Sequence, residues 1–357
     1  MIYCFLGDNN RDKDLFESIL KTEWTGITFC WENQDSIKKT NNANIYIPVK
    51  WDVSVSTDFF LNYDFILEYA YKVYSKEHCE FHVKNIIHSL ANHLIKIIQS
   101  NDIVFALNSG EYCARLLKEL SHLIGFKFYF IDSFYLKDTL QASEIPFTQS
   151  IYGYPEFINL LSESKFIDTD IEEFIDDYII TKSSKYDQKE VSSILENLNI
   201  NYTSLKKCSE IDIFIPGQVP LDSNIVLNNE SISSSEILCE VICKSHPNKI
   251  IGYKPHPGAV SSLNLKKLFE YENLVFLKDS VWDIFKKSKE IHTLSSTVGI
   301  EAMIYGKPVF WYSNFYSKFY TNLDIKHFLS VSRRYAIKRN DFTNWVENII
   351  HQSPHTD

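Results

Sequence analysis

The sequence predicts an α/β protein of two lobes with a cleft between them, and three observations carry that expectation. Short apolar runs alternate with helical patterns over residues 1–150. The same rhythm resumes over residues 208–357. Between them, residues 151–207 are polar and helical, with acidic runs such as 168–177. Strands alternating with helices imply parallel sheets. A chain of 357 residues is long enough for two ordinary domains.

In the first lobe, strands are expected at 2–6, 26–30, 44–48, 103–107 and 127–131, with helices at 12–21, 75–99 and 111–124. The 151–207 stretch reads as a helical segment bridging the lobes. In the second lobe, strands are expected at 211–216, 249–254, 274–277, 290–293 and 308–311. Helices are expected at 235–245 and 298–305, and a terminal one at 340–351. Open α/β sheets bind ligands outside the carboxyl ends of their strands, so those ends are where functional residues are sought. There is no internal repeat and no low-complexity tract.

Bulk properties narrow the function. Hydrophobic residues make up 45% of the chain and aromatic residues 15%, enough for packed cores. A net charge of −10 argues against a nucleic-acid binder, which would carry a basic field. It leaves room for a local cationic pocket on an acidic protein. The seven cysteines are scattered, without CxxC pairs or zinc spacing, and read as reduced thiols. The opening MIYCFLGDNN lacks a basic region and reads as a first strand, not a signal peptide. No run approaches the roughly 18 consecutive apolar residues of a membrane span. The expected location is cytoplasmic, with any membrane contact peripheral, at the inner membrane face. No metal site and no cofactor are expected.

Three motifs carry chemistry. At 213–223, IFIPGQVPLDS ends a strand at Pro216, and Gln218 and Asp222 follow on the loop where α/β enzymes keep catalytic groups. Asp222-Ser223 is also a sound helix cap. At 253–258, YKPHPG places His256 between two prolines just after a strand. Prolines fix φ on both sides of the imidazole, so Lys254 and His256 sit on a stiff loop suited to an anion. At 292–309, HTLSSTVGIEAMIYGKPV runs from a strand through Ser295, Ser296 and Thr297 into a helix. Exposed N–H groups and the positive end of the helix dipole favour a phosphate there. Glu301, one turn in, is placed to accept from ribose hydroxyls, or to complete a capping box with the serines.

Other candidates rest on position alone. Asn108 and Glu111 flank the start of a helix that follows a strand, and they either face the cleft or cap the helix. Asp132 follows the 127–131 strand with the same two readings. His78 and His82 lie four apart on a polar helix without a third ligand and read as solvated surface.

Taken in order, PGQVPLDS, KPHPG and SSTVGIEAMIYGKPVFWYSNFYSKF resemble the capsule polysaccharide biosynthesis family of bacterial retaining β-Kdo glycosyltransferases. The likeness is strong over about 211–320. It is weaker over 103–160, where FIDSFYLKD resembles a family segment that usually contains Glu-Asp-Gly-Phe. The resemblance implies a GT-B-like fold of two Rossmann-like lobes. It also implies a CMP-activated donor, typically CMP-Kdo, and retention of configuration. Asp222 matches the family's proposed nucleophile. His256-Pro257 matches the motif that contacts the donor phosphate, Ser295 and Ser296 match its phosphate-binding helix start, and Glu301 matches the ribose ligand. Where the family has Glu before Asp, this chain has Ile131 before Asp132. The acid/base role then passes to Asp132 or to a neighbour such as Glu111 or Glu144.

The expected partners are the CMP-sugar, a saccharide or glycolipid acceptor and partner transferases of a capsule assembly complex. The competing readings are a sialyltransferase-like CMP-ulosonic-acid transferase, a UDP-sugar GT-B enzyme and a non-catalytic scaffold.

Overall fold

In the computed structural model, the described residues are 1–5, 25–31, 44–49, 61–107, 112–133, 138–144, 167–182, 210–219, 222–228, 232–256, 263–313 and 324–352. The chain divides into two compact units, and the division is not a single cut. The first unit comprises residues 1–134, 138–153 and 335–357. The second comprises 135–137 and 154–334.

The first unit is built on seven strands: β1 (Ile2–Phe5), β2 (Thr25–Trp31), β3 (Asn44–Val49), β4 (Ile103–Leu107), β5 (Lys127–Ser133), β6 (Thr139–Ser143) and β12 (Ala336–Lys338). Their order is β12-β6-β5-β4-β1-β2-β3. The five expected strands pair in parallel. The helices Lys84–Ile97 and Tyr112–Ile124 bury Ile86, Ile87, Leu90 and Leu94, and Leu116, Leu117 and Leu120, at helical spacing. The expected 75–99 helix is interrupted by a π turn at Cys79–Val83.

Two expectations about this unit are corrected. The strand expected to stop at 131 continues to Ser133, because antiparallel β6 pairs along it with Asp132 opposite Gln141. Asp132 is therefore a buried strand residue, not a loop residue. The chain's last segment also does not belong to the second lobe, where a 208–357 domain would place it. β12 pairs antiparallel with β6, and the Phe342–Gln352 helix sets Phe342, Trp345 and Val346 against Phe105, Ile131 and Leu140. Burying three apolar side chains on an existing sheet face outweighs continuity along the chain.

The described part of the expected bridge, the Ile171–Ile180 helix, is part of the second unit. Its Ile171, Ile175 and Tyr178 are buried at helical spacing. Arg333 holds Asp170 through two hydrogen bonds of 2.9 and 2.8 Å and lies 4.6 Å from the Phe174 ring centre. The expected helix at 12–21 lies outside the described residues.

The second unit carries β7 (Ile211–Pro216), β8 (Ile251–Lys254), β9 (Leu274–Phe276), β10 (Ser288–Thr293) and β11 (Val309–Trp311), in the order β11-β10-β7-β8-β9. All pairings are parallel. β8 is buried throughout and β7 nearly so, as strands covered on both faces must be. Ser234 caps the Ser235–Ser245 helix and Ser280 caps Val281–Lys287, each accepting a backbone N–H of the first turn. The Thr297–Ile304 helix stops where Gly306 adopts φ +80°, as GKP after an apolar helix predicts.

The strand order fixes where a ligand fits. From β7 the chain steps outward on one side through β8 and β9, then returns to lay β10 and β11 on the other side. The reversal leaves a switch point at the carboxyl ends of β7 and β10, where the loops diverge to opposite faces.

Candidate functional site

Gln218 follows β7 and Ser295 follows β10, so the two flank this switch point. Their side chains join. The Gln218 Nε2 donates to Ser295 Oγ at 3.0 Å. Its Oε1 accepts from the Ser295 N–H at 3.2 Å and from Thr293 Oγ1 at 3.3 Å. The Ser296 N–H in turn donates to Thr293 Oγ1 at 3.3 Å. One buried glutamine thus ties the β7 loop to the start of the Thr297–Ile304 helix. Expected as a catalytic residue, Gln218 has its amide engaged in this clamp and is only 8% exposed.

The β8 end packs against the same loop. The Gly217 N–H donates to the Lys254 carbonyl at 2.7 Å. A Cβ on Gly217 would lie 2.7 Å from both the Lys254 carbonyl oxygen and the His256 nitrogen. Only glycine lets the two loops meet this closely. His256 is half-buried at the edge of this contact.

Lys254 is 3% exposed, and its ammonium donates to the Asp279 backbone carbonyl at 2.7 Å. Burial lowers its pKa to about 8, against the opposing pull of Asp279 and Glu301. Glu301 is buried on the Thr297–Ile304 helix. The Tyr178 phenol is raised above its usual pKa by burial and then by the Glu301 carboxylate. Lys254, Glu301 and Tyr178 therefore form an ionisable cluster beneath the site.

The lysine predicts a pH dependence. Below pH 8 both folded and unfolded states hold its proton, and the burial penalty is fully present. Between about 8 and the unfolded value of 10.5, the folded state releases the proton first and the penalty is relieved. The stability of the wild type relative to Lys254→Met should rise across that window, by about 3 kcal/mol in all. Urea titrations of both proteins from pH 7 to 10.5 read this directly, and parallel pH profiles would contradict it.

Asp222 is half-buried at the head of the short Ser223–Asn228 helix. Its carbonyl accepts from the Ile225 and Val226 N–H groups, both at 2.9 Å. Ser296 caps the Thr297–Ile304 helix, its Oγ accepting from the Val298 N–H at 3.2 Å. A hydroxyl accepting in that way still has its own proton to donate, and Thr297 stands beside it in the first turn. Pro257, Asn108 and Glu111 lie outside the described residues. Asp132 belongs to the first unit. Glu144 follows the β6 residue that pairs with Phe130, midway along β5, and so lies back from the carboxyl end of that strand. Among the described residues no group of three or more His, Cys, Asp or Glu side chains is placed to hold a metal ion, and no helix is long and apolar enough to cross a membrane.

Residues that sequence reasoning passed over stand behind the clamp. The Gln218 N–H donates to Ser235 Oγ at 3.0 Å, and that hydroxyl lies 3.2 Å from the Tyr253 hydroxyl. Tyr253 donates to Glu236 Oε1 at 3.1 Å. The signal was present in the helix period. Glu236 shares the apolar face of Cys239 and Cys243, three and seven residues on, and a carboxylate there needs buried partners.

Two α/β units, the second an all-parallel sheet with its polar loops gathered at the switch point, make a GT-B-like glycosyltransferase fold. KpsC, the beta Kdo 2,7 transferase of Thermosulfurimonas dismutans, superposes with a TM-score of 0.51 over 94% of this chain and 92% of its own, at 16% identity. Residues 152–317 match the family model described as capsule polysaccharide biosynthesis protein. The capsule polysaccharide modification proteins LipA of Neisseria meningitidis serogroups B and A are each 30% identical over 105 residues, 28% of this chain. The chain spans about 15% of the length of these relatives. The match to that family model extends upstream of the three motifs into the 152–210 stretch.

Proposed function

We propose that the chain is a capsule-related glycosyltransferase whose second unit binds CMP-activated Kdo and transfers the sugar with retention of configuration. The observation that carries this reading is the Gln218–Ser295 clamp at the sheet's switch point. It gathers the β7 loop and a serine-rich helix start where an α/β sheet takes its ligand. The names of KpsC and LipA, a beta Kdo transferase and capsule modification proteins, favour the same substrate class.

In this reading the donor phosphate lies against His256 and the hydroxyl groups of Ser295, Ser296 and Thr297. Donors fixed in advance around the leaving phosphate stabilise the charge it gains as the sugar departs. Lys254, braced on the Asp279 carbonyl, adds positive charge beneath, and Glu301 takes the ribose side. An Asp222 carboxylate oxygen attacks the anomeric carbon as the bond to the CMP phosphate breaks, giving a covalent glycosyl-enzyme. The acceptor hydroxyl oxygen then displaces Asp222 and gives its proton to a carboxylate acting as general base. Two inversions leave the configuration retained. The donor is a substrate, and the reading requires neither metal nor cofactor. The acceptor is a saccharide or glycolipid of a capsule assembly complex, met at the cytoplasmic face of the inner membrane.

Calorimetric titration with CMP, UDP and GDP tests the donor. CMP should bind selectively, and His256→Ala should weaken it about tenfold, as loss of a charge-assisted contact does. Preference for UDP or GDP would overturn the CMP-Kdo assignment. Binding of none would favour the scaffold reading.

A further inference from the structure

The buried chain of contacts behind Gln218 has more order than packing alone requires. Glu236 is 2% exposed and Tyr253 fully buried, and they come from a helix and a strand that the clamp residues do not share. Glu236 Oε1 accepts from the Tyr253 hydroxyl at 3.1 Å, and its Oε2 lies 3.4 Å from Ser235 Oγ. Ser235 accepts the Gln218 N–H at 3.0 Å. Gln218 then spends both ends of its amide on Ser295 and Thr293. The path runs from helix Ser235–Ser245 through β8 and the β7 loop to the start of helix Thr297–Ile304. Each step is a hydrogen bond within the buried interior, where a lost partner is felt most strongly.

We propose that Glu236, Tyr253 and Ser235 are positioning residues. They fix the backbone and side chain of Gln218, which sets the direction in which the Ser295–Thr297 hydroxyl groups point. None of the three needs to touch substrate. The structural half of this inference stands on the contacts above, and its ligand half rests on the donor-site reading. A carboxylate anchors the path because it accepts two hydroxyl protons at once, leaving Ser235 to accept the Gln218 N–H.

Tyr253→Phe tests the proposal by removing one oxygen while keeping the ring in the core. Without any ligand, amide exchange at Ser295 and Ser296, whose N–H groups are held by Gln218 and Thr293, should quicken about fivefold, the scale of one lost hydrogen bond, while β9 exchanges as before. With Tyr253 intact, Glu236→Gln, which keeps an acceptor for its hydroxyl, should retain slow exchange, and Glu236→Ala should not. CMP titration supplies the second readout. Tyr253→Phe should weaken CMP about fivefold, and the effect should vanish in a Ser295→Ala background, since coupled groups are non-additive. Unchanged exchange at Ser295 and Ser296, or an effect on CMP that persists in Ser295→Ala, would overturn the proposal and leave these residues as core packing. If the wild type binds no CMP, the donor reading fails, and the exchange experiment alone decides the positioning role.

Discussion

Asp222→Asn should abolish sugar transfer, by about a thousandfold or more, while CMP binds as it does to the wild type. Asparagine keeps the shape of the side chain and loses the oxygen nucleophile. The Asp222 backbone is itself held at the head of the Ser223–Asn228 helix. The carbonyl accepts from Ile225 and Val226, and the N–H donates to Val219 at 3.2 Å. Transfer of radiolabelled sugar from the CMP donor, beside calorimetry with CMP, separates the roles. Loss of transfer with intact binding is the result a nucleophile gives. Loss of both would make Asp222 a binding or capping residue. Retained transfer would end the double-displacement mechanism and require direct attack by the acceptor.

The comparison of sequence with structure separates elements that announce themselves from elements that exist only through their neighbours. β7 and β8 are apolar runs because parallel strands are covered on both faces, and that composition is visible in one dimension. The loop entries after them were legible too, since Gly217 and Pro255 are backbone devices. β6, Thr-Leu-Gln-Ala-Ser, and β12, Ala-Ile-Lys, have no comparable pattern. They are strands because each offers N–H and C=O groups to the other and β6 to β5. Misplacing Asp132 follows from that, as does assigning the 335–357 tail to the wrong unit. In the site, the serine-rich helix start was readable from cap chemistry. The partnership of Gln218 with Ser295 was not, because the residues are 77 apart and only the sheet order brings them together.

Gly217→Ala should be strongly damaging, because the added methyl would meet backbone alone. The new Cβ would meet the Lys254 oxygen and the His256 nitrogen at 2.7 Å and the Pro255 Cα at 2.9 Å, all of them backbone. No rotamer relieves such a contact, so the β7 and β8 loops must part. Parting strains or breaks the 2.7 Å bond from Gly217 to Lys254 and drags Gln218 away from Ser235 and Ser295. Overpacking against a rigid neighbour together with a lost hydrogen bond destabilises by about 3 kcal/mol or more. CMP affinity should fall about tenfold or more at the same time, because His256 and the clamp move together. Gly252→Ala supplies the contrast. Its Cβ would meet Leu277 Cδ1 at 2.7 Å and Ile211 methyls at 3.1 and 3.2 Å, which are side-chain ends able to turn aside. That variant should lose less stability and bind CMP normally. Equal losses in the two variants, measured by urea unfolding and calorimetry, would mean that the loops tolerate separation and that their close approach is not what assembles the site.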